Sequence, residues 1–275
     1  MLDAIARACP SFRPTEPPRH GRKSVLVRGV VDGIPAVAKL VRSPRPDRAW
    51  TYYLANEIAV LQSFAATSPP LHVPQLLAYS NEVLVREWLE AAPLSRTRHP
   101  SVTLGDLLAP LVTGLSQLER YRATVLTPTA AQRRHMRDSL LEDPADASWC
   151  AAALHSAEVE GIVPGGTTAR LEPALGRLAV RFAHGDMLLR NVLNDGSVVD
   201  WECAGFHPSG WDHALLATQL VIEERGILEN GMSSEQRALI VVALCREVWI
   251  RARHGDATAL NRELAQALRA TIDLH

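Results

Sequence analysis

His184-Gly185-Asp186-Met187-Leu188-Leu189-Arg190-Asn191, followed nine residues later by Asp200-Trp201-Glu202, is the stretch from which the rest of this chain can be read. Between Asn191 and Asp200 runs Val192-Leu193-Asn194-Asp195-Gly196-Ser197-Val198-Val199, in which apolar residues flank an Asn-Asp-Gly turn element. That pattern predicts strand, tight turn, strand. A hairpin folds the chain back on itself. Asn191 and Asp200 are therefore expected close together, with Asp186 in the loop that feeds the hairpin.

An Asp, an Asn and a second Asp at these separations suit the movement of a phosphoryl group from a magnesium-bound nucleoside triphosphate to a hydroxyl. One Asp can orient and deprotonate the hydroxyl. The Asn and the other Asp can hold the metal that bridges the phosphates. Such catalysis is mostly positioning and charge neutralisation, so few residues are needed but their separations matter. A surface hairpin with scattered polar residues would account for His-Gly-Asp alone. It does not account for the whole constellation in one strand-and-loop context.

At these residues the chain resembles the aminoglycoside phosphotransferase and choline kinase group of small-molecule kinases, relatives of the protein kinases. The signature of that group runs HGDxxxxN, a short hairpin, a hydrophobic-Asp-Trp-Glu strand, then Asp-x-Ala opening a helix. Here these are His184 to Asn191, Val198-Val199-Asp200-Trp201-Glu202 and Trp211-Asp212-His213-Ala214. The resemblance implies an α+β, two-lobed protein-kinase-like fold. Its N-lobe would be an antiparallel sheet with one helix, and its C-lobe mainly helical with a catalytic hairpin. It implies Asp186 as the catalytic base, Asn191 and Asp200 as magnesium ligands, and Asp212 as a buttress of the catalytic loop. Two departures stand out. Met187-Leu188 replaces the Leu-His of many relatives, removing a polar group near the acceptor, and Gly205-Phe206-His207-Pro208 replaces their Gly-Asp-Pro.

A kinase reading makes a demand on the other end of the chain. Val25 to Val31 and Ile34 to Val41 are apolar runs separated by Asp32-Gly33, a strong hairpin signal. The second run carries Lys39, aimed at nucleotide phosphates. Trp50 to Phe64 reads as the next helix, with Leu54, Ile58 and Leu61 on one stripe and Glu57 beside it, so Lys39 is paired with Glu57. The nucleotide loop falls near His20-Gly21-Arg22-Lys23-Ser24 and lacks GxGxxG. Gly21 permits close backbone approach and Ser24 can donate to a phosphate, although an ordinary polar turn reads equally well. Ser43-Pro44-Arg45-Pro46 separates the Lys strand from the helix. Val73 to Tyr79 and Val83 to Trp88 read as the remaining strands. The lobes are then residues 1–88 and 89–275, with a hinge about 86–92 where the backbone of Glu87 and Leu89 can meet an adenine edge. Trp88 is either core or nucleotide wall.

Leu2 to Cys9 reads as a short helix, and the proline-rich Pro10 to Pro18 as extended or mobile. Beyond the hinge, Leu104, Leu107, Leu108, Leu111, Leu115 and Leu118 follow at helical spacing and read as core. Trp149 to Ala157 and Leu171 to Phe182 are predicted helices with a loop over 161–168 between them. Three more helices are predicted near 212–225, 233–254 and 256–272. The chain has 275 residues, 47% of them hydrophobic, and a formal charge of −1, which points to no nucleic-acid partner. Four dispersed cysteines without CxxC spacing argue against zinc or a disulfide framework. The apolar runs are too short to span a bilayer and there is no signal-peptide pattern, so no membrane partner and a cytoplasmic location are expected.

Several residues keep two readings. His184 either meets the acceptor or orders the catalytic loop through backbone hydrogen bonds. Arg190 either neutralises a transferring phosphate or is solvated. Glu202, two residues beyond Asp200 on the same strand face, either supports a second metal or meets a polar substrate. The implied cofactors are ATP or GTP with Mg²⁺, and the partners a nucleoside triphosphate and a hydroxyl-bearing small molecule or peptide. A polycationic aminoglycoside would call for an acidic C-terminal wall. The last 45 residues instead hold six Arg (237, 246, 251, 253, 262 and 269) against five carboxylates, and residues 119–137 add Arg120, Arg122, Arg133, Arg134 and Arg137. A neutral or anionic acceptor is at least as well suited: a sugar, a nucleoside-like antibiotic, a macrolide or a peptide Ser/Thr. Two rival classes stay open. One is a kinase of peptide Ser/Thr needing a biosynthetic partner protein, and the other is a catalytically idle kinase-fold binding partner.

Overall fold

Asp32 and Gly33 close the first hairpin at φ 48° and 86°. A two-residue turn between right-twisted strands requires positive φ of this kind. The structure is a computed structural model that describes residues 1–21, 23–42, 49–95, 101–132, 148–220 and 222–253. The expectations at Arg22, at Ser43-Pro44-Arg45-Pro46, at Arg133, Arg134 and Arg137, at Arg262 and Arg269 and for a helix near 256–272 lie outside these residues.

Strands β1 (Phe12–Pro14) and β2 (Arg19–His20) both pair with β3 (Ser24–Val31). The segment expected to be extended or mobile thus contributes an edge strand, where a proline costs no ladder hydrogen bond. β3 pairs with β4 (Ile34–Val41) from Ser24↔Val41 to Val31↔Ile34. β6 (Val83–Glu87) pairs with β4, and β5 (Leu76–Tyr79) with β6, giving an antiparallel sheet of order β1-β3-β4-β6-β5.

Alternation along β4 decides where Lys39 goes. Ala36, Ala38 and Leu40 join Val25, Val27, Val83 and Val85 in a core with Ile5, from α1 (Leu2–Ala8), and Phe12. Lys39 must then face the opposite side of the sheet, where α2 (Ala49–Ala66) lies. Leu54, Ile58 and Leu61 of α2 are buried in a second, larger core that continues into the C-terminal half. Their burial contributes roughly 2 kcal/mol apiece and fixes the rotation of the helix, and with it the direction of Glu57.

The C-terminal half is mainly helical. In α3 (Ser101–Leu118), Leu108, Leu111, Leu115 and Leu118 are buried, as the leucine stripe requires. α4 (Ser148–Val159) and α5 (Thr167–Leu175) follow. The helix expected over Leu171 to Phe182 stops at Leu175, with Gly176 next. Val180–Ala183 is instead strand β7, paired antiparallel with β8 (Gly205–Pro208). That pairing satisfies backbone groups a helix would have satisfied locally, and places Phe182 edge-on to Phe64. The helix predicted near 212–225 is divided into α6 (Trp211–Ala217) and α7 (Ile222–Glu229), and α8 (Ser234–Arg253) is the helix expected at 233–254. No helix among the described residues is long and apolar enough to cross a membrane.

The predicted hairpin is also smaller than expected. Val192↔Val198 is a single bridge rather than a strand pair. Asp200 adopts left-handed backbone angles, φ 67° and ψ 58°, and Trp201–Cys203 forms a 3₁₀ turn in place of the expected strand. The physical reason is the left-handed kink at Asp200, which ends extended pairing and turns Glu202 towards the sheet.

Candidate active site

β7 delivers the chain to His184, and the first turn of α6 anchors the loop that begins there. Both oxygens of Asp212 accept backbone N–H groups, from His184 at 2.7 Å and from Gly185 at 2.9 Å. Trp211 Nε1 donates to the Gly185 carbonyl at 3.2 Å. Gly185 has φ 82°, and a Cβ there would strike the Cys203 carbonyl oxygen and the His207 ring. The His184 ring is fully buried and committed to backbone. Its Nε2 donates to Val199 O at 3.0 Å, its Nδ1 accepts from Asp186 N at 3.3 Å, and it lies edge-on to Trp201. Of its two readings, loop ordering matches these contacts.

Asp186 projects from this loop. Asn191 Nδ2 donates to the Asp186 carbonyl at 2.7 Å and to Oδ2 at 3.3 Å, and Arg190 donates to Oδ2 at 2.8 Å. The Asn191 backbone is held by Val199 N at 2.9 Å, which ties the loop to the segment entering Asp200. Among the described residues, Asn191 Oδ1 accepts no hydrogen bond.

Lys39 brings the two halves together. Its Nζ lies 2.7 Å from Glu57 Oε2, 2.8 Å from Asp200 Oδ1 and 2.7 Å from Glu202 Oε2. Burial alone would push this ammonium down, but Glu57, Asp200 and Glu202 hold it well above its usual value. Burial would likewise raise the Asp200 carboxyl, yet Lys39 keeps it below the usual carboxylate range and therefore ionised. Glu57, Asp200 and Glu202 present ligand oxygens within 4.8 Å of one another, a cradle that could take a cation and here surrounds the lysine. Glu57 is fully buried and also faces Arg86, with Nε 3.8 Å from Oε1.

Glu202 does more than its expected place on a strand face would allow. It accepts from Lys39 and, through Oε1, from Lys23 at 2.9 Å. The Lys23 ammonium also lies 5.3 Å from the Trp50 ring centre and 5.0 Å from that of Tyr53. Lys23 and Ser24 line a small pocket with Lys39, Trp50, Tyr53 and Glu202. Asn56 of α2 clamps the same turn from behind, donating to Glu202 O at 3.2 Å and Ala204 O at 2.8 Å. At the crossing, Glu87 N donates to Gln75 O at 2.9 Å and the Glu87 carbonyl accepts from Arg86 Nη1 at 3.2 Å, which leaves the second lone pair of that carbonyl and the Leu89 backbone open to an adenine edge. The Trp88 ring is covered by the Arg28 guanidinium at 4.4 Å.

Two groups beside the loop titrate unusually. Burial pushes the Cys203 thiol up, which favours its protonated form. Burial pushes the His207 imidazole down to about 4, opposed by its Nε2 hydrogen bond to Cys203 O at 3.4 Å and assisted by the charge of Arg246. Unfolded, this histidine takes up its proton near 6.5, while the folded one waits until about 4. The stability from keeping it neutral is therefore complete above pH 6.5 and lost as pH falls towards 4, by at most about 3 kcal/mol. Denaturant midpoints measured across that window should fall in the native protein and fall less in His207→Gln. Equal slopes would contradict this account.

Sequence reasoning left Lys23 undecided and assigned no place at the site to Asn56, Arg86 or Arg246. Arg246 Nη2 lies 3.8 Å from Asp186 Oδ1. A signal for it exists in the sequence. Arg246-Glu247 follows the uninterrupted buried run Ala238 to Cys245, and charged residues are seldom buried without a partner.

The fold has counterparts among known proteins. The model of a family described as the phosphotransferase enzyme family matches residues 17–268. No curated protein matches the chain in sequence. Among solved structures, that of a putative aminoglycoside phosphotransferase from Ralstonia eutropha aligns with a TM-score of 0.61 at 11% identity, covering 98% of this chain and 94% of that one. The macrolide 2'-phosphotransferase MphH from Brachybacterium faecium aligns at 0.58 and 16%, covering 97% and 96%. The choline kinase LicA from Streptococcus pneumoniae aligns at 0.55 and 13%, covering 96% and 94%. At these identities the likenesses establish a shared kinase-like fold.

Proposed function

The chain belongs to the phosphotransferase enzyme family, matched over residues 17–268 of 275, and from that premise we propose that it transfers the γ-phosphoryl group of ATP or GTP to a hydroxyl of a small molecule. The observation that carries this reading is the meeting at Lys39 of a strand, a helix and the Asp200 turn, with Asp186 in the adjoining loop.

Asp186 orients the acceptor hydroxyl and receives its proton as the new O–P bond forms. Asn191 holds the Asp186 carbonyl, and Asp212 holds the two backbone N–H groups before it, so the carboxylate is placed without rearrangement. Lys39, fixed by Glu57, exchanges Asp200 and Glu202 for nucleotide phosphates. Ser24 and Lys23 line the same pocket and serve the phosphates from the loop side, and the backbone of Glu87 and Leu89 serves the base. The residues present fit a hard divalent cation. Asp200 is ionised and its side chain is 39% exposed, and the Asn191 amide oxygen is uncommitted. When bound there, Mg²⁺ supplies neutralisation of the triphosphate charge.

The test is transfer of γ-labelled phosphate from ATP and GTP to an acceptor panel. The panel holds aminoglycosides, macrolides, nucleoside antibiotics, amino alcohols, sugars, hydroxy acids and Ser/Thr peptides, with Asp186→Asn as control. Label in one acceptor class, lost in the variant, is the expected result. Intact nucleotide binding with no label in any acceptor would sink the proposal in favour of an idle kinase fold.

A further inference from the structure

Asp186 lies between two arginines from different parts of the chain. Arg190 follows it by four residues and meets Oδ2 at 2.8 Å, and Arg246 arrives from α8 and lies 3.8 Å from Oδ1. Their settings differ. The Arg190 side chain is 66% exposed, whereas that of Arg246 is 8% exposed.

A buried guanidinium is costly unless its donors find acceptors. Arg246 donates through Nη1 to Glu247 at 3.0 Å, but its Nε is buried with no hydrogen-bond partner. On one side of the Asp186 carboxylate there is therefore a buried cation with an unsatisfied donor, and on the other an exposed second cation. Among the described residues, two guanidinium groups face two carboxylates here, Asp186 and Glu247. A cationic acceptor reaching Asp186 must approach two positive groups. An acceptor with an oxyanion beside its hydroxyl finds the exposed planar fork of Arg190, of the geometry that binds carboxylate and phosphate, and the positive charge of Arg246 behind it.

We infer that Arg246 and Arg190 form an acceptor subsite for an oxyanion, a carboxylate or a phosphate, carried close to the hydroxyl that is phosphorylated. This rests on the reading of Asp186 as the group that receives that hydroxyl. Arg246 is then a specificity-determining residue. Its role is binding, separate from stabilisation of the transferring phosphoryl group.

The experiment compares probes on one three-carbon skeleton: glycerate, glycerol phosphate, glyceramide and aminopropanediol. Each is offered with labelled ATP and GTP to the full chain, and acceptor-independent binding and hydrolysis of the nucleotide are recorded alongside. One of the two anions should be used with a kcat/KM about tenfold or more above the amide and the amine; which anion is used identifies carboxylate or phosphate. In Arg246→Gln the preference should collapse through KM for the anion, and Arg246→Lys should restore part of it. Arg190→Gln, at an exposed position, tests the same subsite where folding is not at risk, and should lower the preference as well. Equal or better use of the amide or the amine overturns the inference, as does no transfer to either anion while Mg²⁺-dependent nucleotide binding is intact. A fall in kcat by the same factor for every acceptor in Arg246→Gln also overturns it, making Arg246 a positioning residue. Failure of nucleotide binding itself would instead strike the phosphotransferase assignment of the site.

Discussion

Asp186→Asn is expected to lower phosphoryl transfer by about 10³-fold while nucleotide affinity stays within about threefold. The amide is nearly isosteric with the carboxylate but cannot accept the hydroxyl proton. The loop should survive the change, because its shortest backbone anchors do not use the carboxylate. Asn191 donates to the Asp186 backbone carbonyl, and Asp212 accepts from the N–H groups of His184 and Gly185. Arg190 and Arg246 both lose a charged partner, so a modest shift in stability is expected as well. Single-turnover transfer with labelled nucleotide, together with a nucleotide binding isotherm, separates the two effects. Full activity in the variant would remove Asp186 from the role of base.

Asp200→Asn should abolish the strengthening of nucleotide binding by Mg²⁺. Asn is the better replacement than Ala because Asp200 sits at φ 67°, where Asn is tolerated and Ala costs about 1 kcal/mol. The substitution removes one of three carboxylates around Lys39 but leaves Glu57 and Glu202 to hold the ammonium. The site therefore keeps its phosphate-binding cation and loses its best oxygen donor for a divalent metal. Affinity for ATP measured with Mg²⁺ and with chelator should differ in the native protein and become about equal in the variant. Persistent Mg²⁺ dependence in Asp200→Asn would place the metal elsewhere.

Much of the frame of this protein is local and therefore legible in the order of its residues. The Asp32-Gly33 turn, the alternating strands on either side of it and the apolar stripe of α2 are each written within about ten residues of chain. Strand alternation forces Lys39 to the α2 side of the sheet, and the helical stripe sets Glu57 facing it, so their contact arises from two periodicities. Asp212, at a helix start beside the His184 loop, is instead implied by the family resemblance of Trp211-Asp212-His213-Ala214. Elsewhere local pattern misled. Leu171 to Phe182 has helical composition, but Gly176 and the partnership with Gly205–Pro208 turn its second half into a strand. Propensity there is weaker than tertiary pairing.

The amino-acid sequence by itself determined the kinase-like fold and the family, and it put Lys39, Glu57, Asp186, Asn191 and Asp200 forward as candidate site residues. Only the tertiary structure decided what surrounds them. Glu202 meets Lys39 and Lys23 because a left-handed kink at Asp200 turns the chain from a strand into a 3₁₀ turn. Arg246 reaches Asp186 from a distant part of the chain because the packing of α8 against α6 carries it there. Contacts of that kind depend on how helices settle against one another. The chain writes helix faces in its periodicity, but it leaves no comparable mark of which distant side chain a given face will meet.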